Sequence, residues 1–183
     1  CVAVGVKPNI DWLAGSGLAI AQALVVDGRM QCSGDIFAAG DVVQTRDMVT
    51  GKTIVSALWT NAVEMGRVAG INMAGGSIKY PGSLEIMNAT EIERIPIISI
   101  GDIAPTGKGY EIHKSNRGES YRKLVFRDDV LTGAIFLGDI ARAGVYTSLI
   151  KSGRLLGDLK NKAVDGSINY VDCRMDHGLL NEA

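Results

Sequence analysis

The sequence predicts an α/β region followed by a small α+β domain built on an antiparallel sheet. Three observations carry that expectation. Short apolar segments and one long helical repeat occupy the chain up to about residue 80, where Pro81-Gly82 interrupts the pattern. Beyond it, strand-like apolar runs follow one another with turn residues between them. The 23 glycines among 183 residues exceed the typical ~7%, and aromatic residues make up only 5%. A chain of this kind turns tightly and lets its backbone come close to something.

Each element follows in order. Cys1-Val2-Ala3-Val4-Gly5-Val6 reads as an apolar strand with no basic leader before it, which suggests a piece of a longer protein. Pro8-Asn9 ends it, and Asn9 can cap a short helix over 10–14 that Gly15 and Gly17 terminate. Residues 18–26 are apolar enough for one or two short strands. Asp27-Gly28 then reads as a hairpin turn from which 30–32 return. Ile36-Phe37-Ala38-Ala39 is apolar on both faces, as expected of a strand inside a parallel sheet. Residues 42–53 read as a polar loop. From about Val55 to Ala74, Leu58, Ala62, Met65, Ala69 and Met73 recur at helical spacing, and Gly75-Gly76 ends the run. In the second domain, strands are expected over 95–100, 110–115, 121–127 and 130–137, then a helix over 140–151 stopped by Gly153. The expected divisions are residues 1–80, 81–155 and a weakly patterned tail over 156–183.

Composition excludes several classes. The 46% hydrophobic content is too high for disorder, and the glycines lack a period of three. Nineteen Lys+Arg against 20 Asp+Glu offer nucleic acid or an acidic membrane no electrostatic attraction. No apolar run approaches the ~18 residues of a membrane-spanning helix. Cys1, Cys32 and Cys173 are odd in number and widely spaced, without a Cys-x-x-Cys. That pattern supports neither a disulfide framework nor a zinc ribbon, and a reduced, cytoplasmic setting is expected.

Familiar catalytic signatures are missing. Gly15-Ser16-Gly17 and Gly107-Lys108-Gly109 both lack the third glycine of a dinucleotide fingerprint. There is no P-loop and no nucleophile elbow. His113 and His177 are too far apart in pattern to suggest a metal site, so no metal is expected. Asn88-Ala89-Thr90 matches a glycosylation triplet that is empty in a cytoplasmic protein. One constellation remains. Gly40-Asp41 ends an apolar strand, and a helix then begins near Ala57-Leu58-Trp59. An acid at a strand end can accept bonds from ribose-like hydroxyls, and a helix start presents unpaired N–H groups. From spacing alone, a plain turn with Asp41 as a cap is the simpler account.

The longer wording adds to this. Val4-Gly5-Val6-Lys7-Pro8-Asn9, Leu13, Gly17-Leu18, Val26-Asp27 and Ile36-Phe37-Ala38-Ala39-Gly40-Asp41 stand in the order found in one family. Together they resemble the pyridine nucleotide-disulfide oxidoreductases, flavoproteins with two dinucleotide-binding domains. Ala57-Leu58-Trp59-Thr60-Asn61-Ala62, then Gly66-Arg67-Val68-Ala69-Gly70-Ile71-Asn72, resembles their helix that points at the flavin ring. Tyr121-Arg122-Lys123-Leu124-Val125-Phe126 and Leu131-Thr132-Gly133-Ala134-Ile135-Phe136-Leu137-Gly138-Asp139 are similar to the C-terminal domain of NADH:rubredoxin reductases and NADH-dependent nitrite reductases.

The resemblance implies that residues 1–80 are the C-terminal half of an FAD/NAD-binding domain, the second half of a Rossmann-like FAD domain. Residues 81–155 would then be a C-terminal interface domain. It implies FAD as cofactor and NAD(P)H as donor, with Asp41 on the ribityl chain and Gly40, Ala57, Leu58 and Trp59 beside the cofactor. Trp59 would sit either next to the flavin ring or in the core on the sheet side. The family's glycine-rich motifs for the FAD pyrophosphate and for NAD are absent from these residues, so no catalytic residue is assigned. Two functions follow. One is the carboxyl-terminal portion of an NAD(P)H-dependent flavoprotein passing electrons through FAD to an acceptor. The other is a non-catalytic module for dimerisation or redox-partner docking. Expected partners are a second copy of the chain and a redox protein.

Overall fold

In a computed structural model, which describes residues 4–174, the chain divides into two units between Glu85 and Ile86. In the first unit a single 3-10 turn, Asp11–Leu13, precedes strands β1 (Leu24–Val25), β2 (Gln31–Ser33), β3 (Ile36–Phe37), β4 (Val43–Arg46) and β5 (Thr53–Val55). Helix α1 (Trp59–Met73) follows. Strands β1 and β4 pair in parallel and β5 adds antiparallel to β4, while β2 and β3 form a separate hairpin. Leu13, Leu24, Met30, Val43, Met65, Val68 and Ala69 form the core between strands and helix.

Several sequence expectations are corrected here. Val4–Val6 form no strand: Gly5 has φ +90°, and Val4 and Val6 are largely exposed. The first three residues of that expected strand lie outside the described part. Ile36–Ala39 does not run inside a parallel sheet. Only the two residues of β3 are strand, and they pair antiparallel with β2. The cause is local. Gly34-Asp35 is a two-residue connection, which joins antiparallel neighbours, whereas a parallel pair needs a crossover of a dozen residues or more. Phe37, Ala38 and Ala39 still pack on the core, which accounts for their apolar character. Asp27-Gly28 turns the chain without making β1 and β2 partners; Asp27 Oδ1 accepts the backbone N–H groups of Arg29 and Gln31. The expected polar loop over 42–53 contains β4 and the first residue of β5, whose Thr53-Ile54-Val55 is β-branched throughout. Those strand residues push the start of α1 on to Trp59.

The second unit is a five-stranded antiparallel sheet in the order β6-β7-β10-β9-β8. Its strands are β6 (Met87–Ile92), β7 (Ile95–Gly101), β8 (Tyr110–Arg117), β9 (Ser120–Arg127) and β10 (Val130–Leu137). Two of the turns place both central residues at positive φ, Glu93-Arg94 between β6 and β7 and Asp128-Asp129 between β9 and β10. That backbone matches the twist of paired strands. Strand β6 was not anticipated, because its Met-Asn-Ala-Thr-Glu-Ile is mostly exposed at a sheet edge and so lacks an apolar pattern. Helix α2 (Ala143–Ser152) packs on β10 and ends at Gly153, φ +58°. Residues past 156 hold two short helices, α3 (Leu159–Asp165) and α4 (Tyr170–Arg174). Ala163 and Ile168 are fully buried there, too sparse a pair to show helical periodicity.

Candidate flavin-facing site

Gly40 is the pivot of the expected site. Its φ of +83° is a left-handed conformation that side chains disfavour. An added Cβ would lie 3.8 Å from the Ala62 Cβ. The Gly40-Asp41 turn therefore backs onto the second turn of α1, so the structure brings together two motifs separated by some twenty residues. The Gly40 carbonyl accepts from Val43 N at 3.2 Å, which closes the turn and starts β4. Asp41 is exposed, and among the described residues its carboxylate takes no hydrogen bond and no ion pair.

Ala57 is exposed, Leu58 is half-buried, and Trp59 is 81% exposed. Trp59 is therefore outside the core that the described residues form. Leu58 is the N-cap of α1 with an extended backbone; no side chain caps the helix, and no acid stands in its first turn. The start of α1 thus presents backbone donors and a partial positive charge, an arrangement suited to a negative group.

Two buried asparagines hold α1 in place. Asn61 Nδ2 donates to Ser56 Oγ at 2.6 Å and to the Leu84 carbonyl at 2.9 Å. Asn72 Nδ2 donates to the Arg29 and Ile78 carbonyls, and Asn72 Oδ1 accepts from Ile78 N, each at 2.9 Å. They rotate the buried stripe. Asn61, Met65, Val68, Ala69 and Asn72 face inward, while Met73, expected inside, is 67% exposed. A reading that counts only apolar residues misses polar positions of this kind.

Asp47 was also missed. It is 2% exposed, and its carboxylate accepts from Thr50 N and Oγ1 at 2.7 Å and from Glu85 N at 3.0 Å. The Thr50 bonds shape the β4–β5 connection, and the Glu85 bond ties that connection to the end of the first unit. The Asp-x-x-Thr spacing was its available signal. Burial, with the Asp27 charge second, pushes the Cys32 thiol up and so disfavours the nucleophilic thiolate. Among the described residues no cluster of His, Cys, Asp and Glu could hold a metal, and no helix is long and apolar enough to cross a membrane.

Both units match known proteins. Residues 1–66 match the family described as pyridine nucleotide-disulphide oxidoreductase, and residues 86–154 match the rubredoxin NAD+ reductase C-terminal domain. The chain is 34% identical over 167 residues to the epsilon subunit of NADH-dependent phenylglyoxylate dehydrogenase from Aromatoleum evansii, covering 89% of this chain and 39% of that one. It is 28% identical over 182 residues to NADH-rubredoxin oxidoreductase from Clostridium acetobutylicum, covering 98% and 42%. The chain thus spans about two fifths of the length of these two relatives. A crystal structure of an FAD-dependent pyridine nucleotide-disulphide oxidoreductase from Desulfovibrio vulgaris matches with a TM-score of 0.73 at 28% identity, covering 94% of this chain and 47% of that one. With residues 1–66 matching that family and residues 86–154 matching the rubredoxin NAD+ reductase C-terminal domain, the chain belongs to the pyridine nucleotide-disulphide oxidoreductases.

Proposed function

We propose that this chain is the carboxyl-terminal portion of an NAD(P)H-dependent flavoprotein oxidoreductase and supplies part of its FAD site. The observation that carries this reading is the Gly40-Asp41 turn set against Ala62 of α1, a helix whose start has no side-chain cap, with Asp41 exposed and its carboxylate without a partner among the described residues. Asp41 would accept hydrogen bonds from hydroxyls of the ribityl chain, and Gly40 keeps the backbone free of a side chain there. The N–H groups at Ala57, Leu58 and Trp59 would donate to the acceptor edge of the flavin, its N1 and O2, where negative charge develops on reduction. Bound FAD would take a hydride from the nicotinamide and pass electrons to an acceptor. The relatives support electron transfer from NADH without fixing that acceptor, since one acts on rubredoxin and another is named a phenylglyoxylate dehydrogenase subunit. A reduced, cytoplasmic protein that self-associates and meets a redox partner fits the reading.

The test uses the full-length product of the gene that encodes these residues. Its flavin absorbance and its NADH-dependent reduction of ferricyanide are measured with Asp41 intact and with Asp41→Ala. Losing a charge-assisted hydrogen bond should weaken FAD by about 1–3 kcal/mol. Undiminished flavin content in the variant would remove Asp41 from the site. A flavin-free protein that forms dimers would leave only the docking module.

A further inference from the structure

The second unit contains a cavity of about 360 Å³ on which the flavin chemistry does not draw. Small-molecule pockets run from roughly 300 to 1,000 Å³. Three arginines from three elements line it: Arg117 at the end of β8, Arg122 on β9, and Arg142 at the N-cap of α2. Each binds a carbonyl at or just beyond the C-terminal end of α3. Arg122 Nη2 reaches Val164 O at 2.6 Å and Arg117 Nη2 reaches Asp165 O at 3.3 Å. Arg142 Nη1 donates to Gly166 O and, at 3.2 Å, to Ile168 O. Arg122 Nη1 also donates to the Tyr146 hydroxyl at 3.3 Å.

A guanidinium has five N–H groups, so each of the three keeps donors beyond these bonds. The two acids on the lining are partly engaged by their own turns. Asp139 Oδ1 accepts from Ala141 N at 3.1 Å, and Asp165 Oδ1 accepts from Ser167 N at 2.7 Å. Three positive charges against two negative leave the lining at +1. Tyr121, Phe136 and Tyr146 supply aromatic wall, the last two with ring centroids 4.9 Å apart.

We propose that this cavity binds a small organic carboxylate, its charge held by spare arginine N–H groups and its apolar body by the aromatic wall. The planar fork of a guanidinium matches a carboxylate with two parallel bonds. A single net positive charge suits a monoanion. A phosphate dianion would face Asp139 and Asp165 and leave the aromatic side chains unused.

The test titrates benzoate into the 183-residue chain at constant ionic strength, with inorganic phosphate in parallel, followed by backbone amide resonances. Saturable shifts at Ala141 and Gly166 with benzoate, and none that saturate with phosphate, are expected. Ala141→Glu puts a carboxylate on the lining without removing any arginine–carbonyl bond. It should weaken benzoate about tenfold or more. Ser115→Asp on β8 supplies the same repulsion should the first variant fold poorly. Benzoate that fails to saturate, phosphate that saturates as well, or unchanged affinity in the folded variant overturns the assignment.

Discussion

Gly101 and Gly133 face each other as partners across β7 and β10, and neither position has room for a side chain. A Cβ at Gly101 would lie 2.2 Å from the Thr132 carbonyl oxygen, and one at Gly133 would lie 2.2 Å from that of Asp102. Gly101 also sits at φ +67°, where the strand ends. Asp102 N then donates to Thr132 O at 2.9 Å, so the chain leaves β7 pressed against the backbone of β10. Backbone alone occupies that crossing.

Gly133→Ala should therefore lower the stability of the second unit by about 1–3 kcal/mol or more, because the new Cβ would meet the Asp102–Ile103 backbone, which the Asp102 N to Thr132 O bond holds against β10. Gly144→Ala is the contrast. Gly144 lies exposed in α2 with open space around its Cα, so alanine should add up to ~1 kcal/mol by helix propensity. Urea unfolding followed by circular dichroism measures both, with midpoints moving in opposite directions.

Asn61→Ala should destabilise the first unit by about 1–3 kcal/mol, since it leaves the buried Ser56 hydroxyl and Leu84 carbonyl short of a donor. Hydrogen exchange at the first turns of α1 should accelerate, while amides of the five-stranded sheet keep their rates. A uniform acceleration across both units would contradict a local role for this side chain.

Acid should loosen α3. Lys160 Nζ lies 2.6 Å from Glu111 Oε2 and 3.4 Å from Asp129 Oδ1, joining α3 to β8 and to the β9–β10 turn. The hydrogen bond from Lys160, then that from His113, holds the Glu111 carboxyl below its usual range. A group with a depressed folded pKa binds its proton more readily in the unfolded chain. Its contribution is present at neutral pH and is lost as pH falls from the ordinary glutamate value, about 4.3, through the lower folded one. Hydrogen exchange of the α3 amides should rise over that window, and Glu111→Gln should flatten the dependence.

The 183-residue chain, mixed with FAD and desalted, should come out colourless. It contains no Gly-x-Gly-x-x-Gly to hold the pyrophosphate, and Asp41 with one helix start cannot offset those contacts. Trp59, Val63 and Met73 expose apolar surface on α1, so sedimentation should show self-association that rises with concentration. Stoichiometric flavin on the isolated chain would contradict the first expectation, and a clean monomer the second.

The sequence by itself determined the elements whose signals are local. The turn at Asp128-Asp129, the Gly153 stop of α2 and the apolar runs of β7, β9 and β10 are all written in neighbouring residues. The order of Gly40-Asp41 and the α1 segment also identified the family before any geometry was known. Only the tertiary structure decided the rest. It placed Ile36-Phe37 in a hairpin, although the same apolar residues would suit a buried parallel strand, because pairing depends on which chain segment comes alongside. It turned Asn61 and Asn72 inward, where distant carbonyls reward a polar side chain that apolar counting assigns to solvent. It gathered Arg117, Arg122 and Arg142 at the end of α3, three charges that the sequence spreads over 26 positions and that only the sheet and two helices bring to one place.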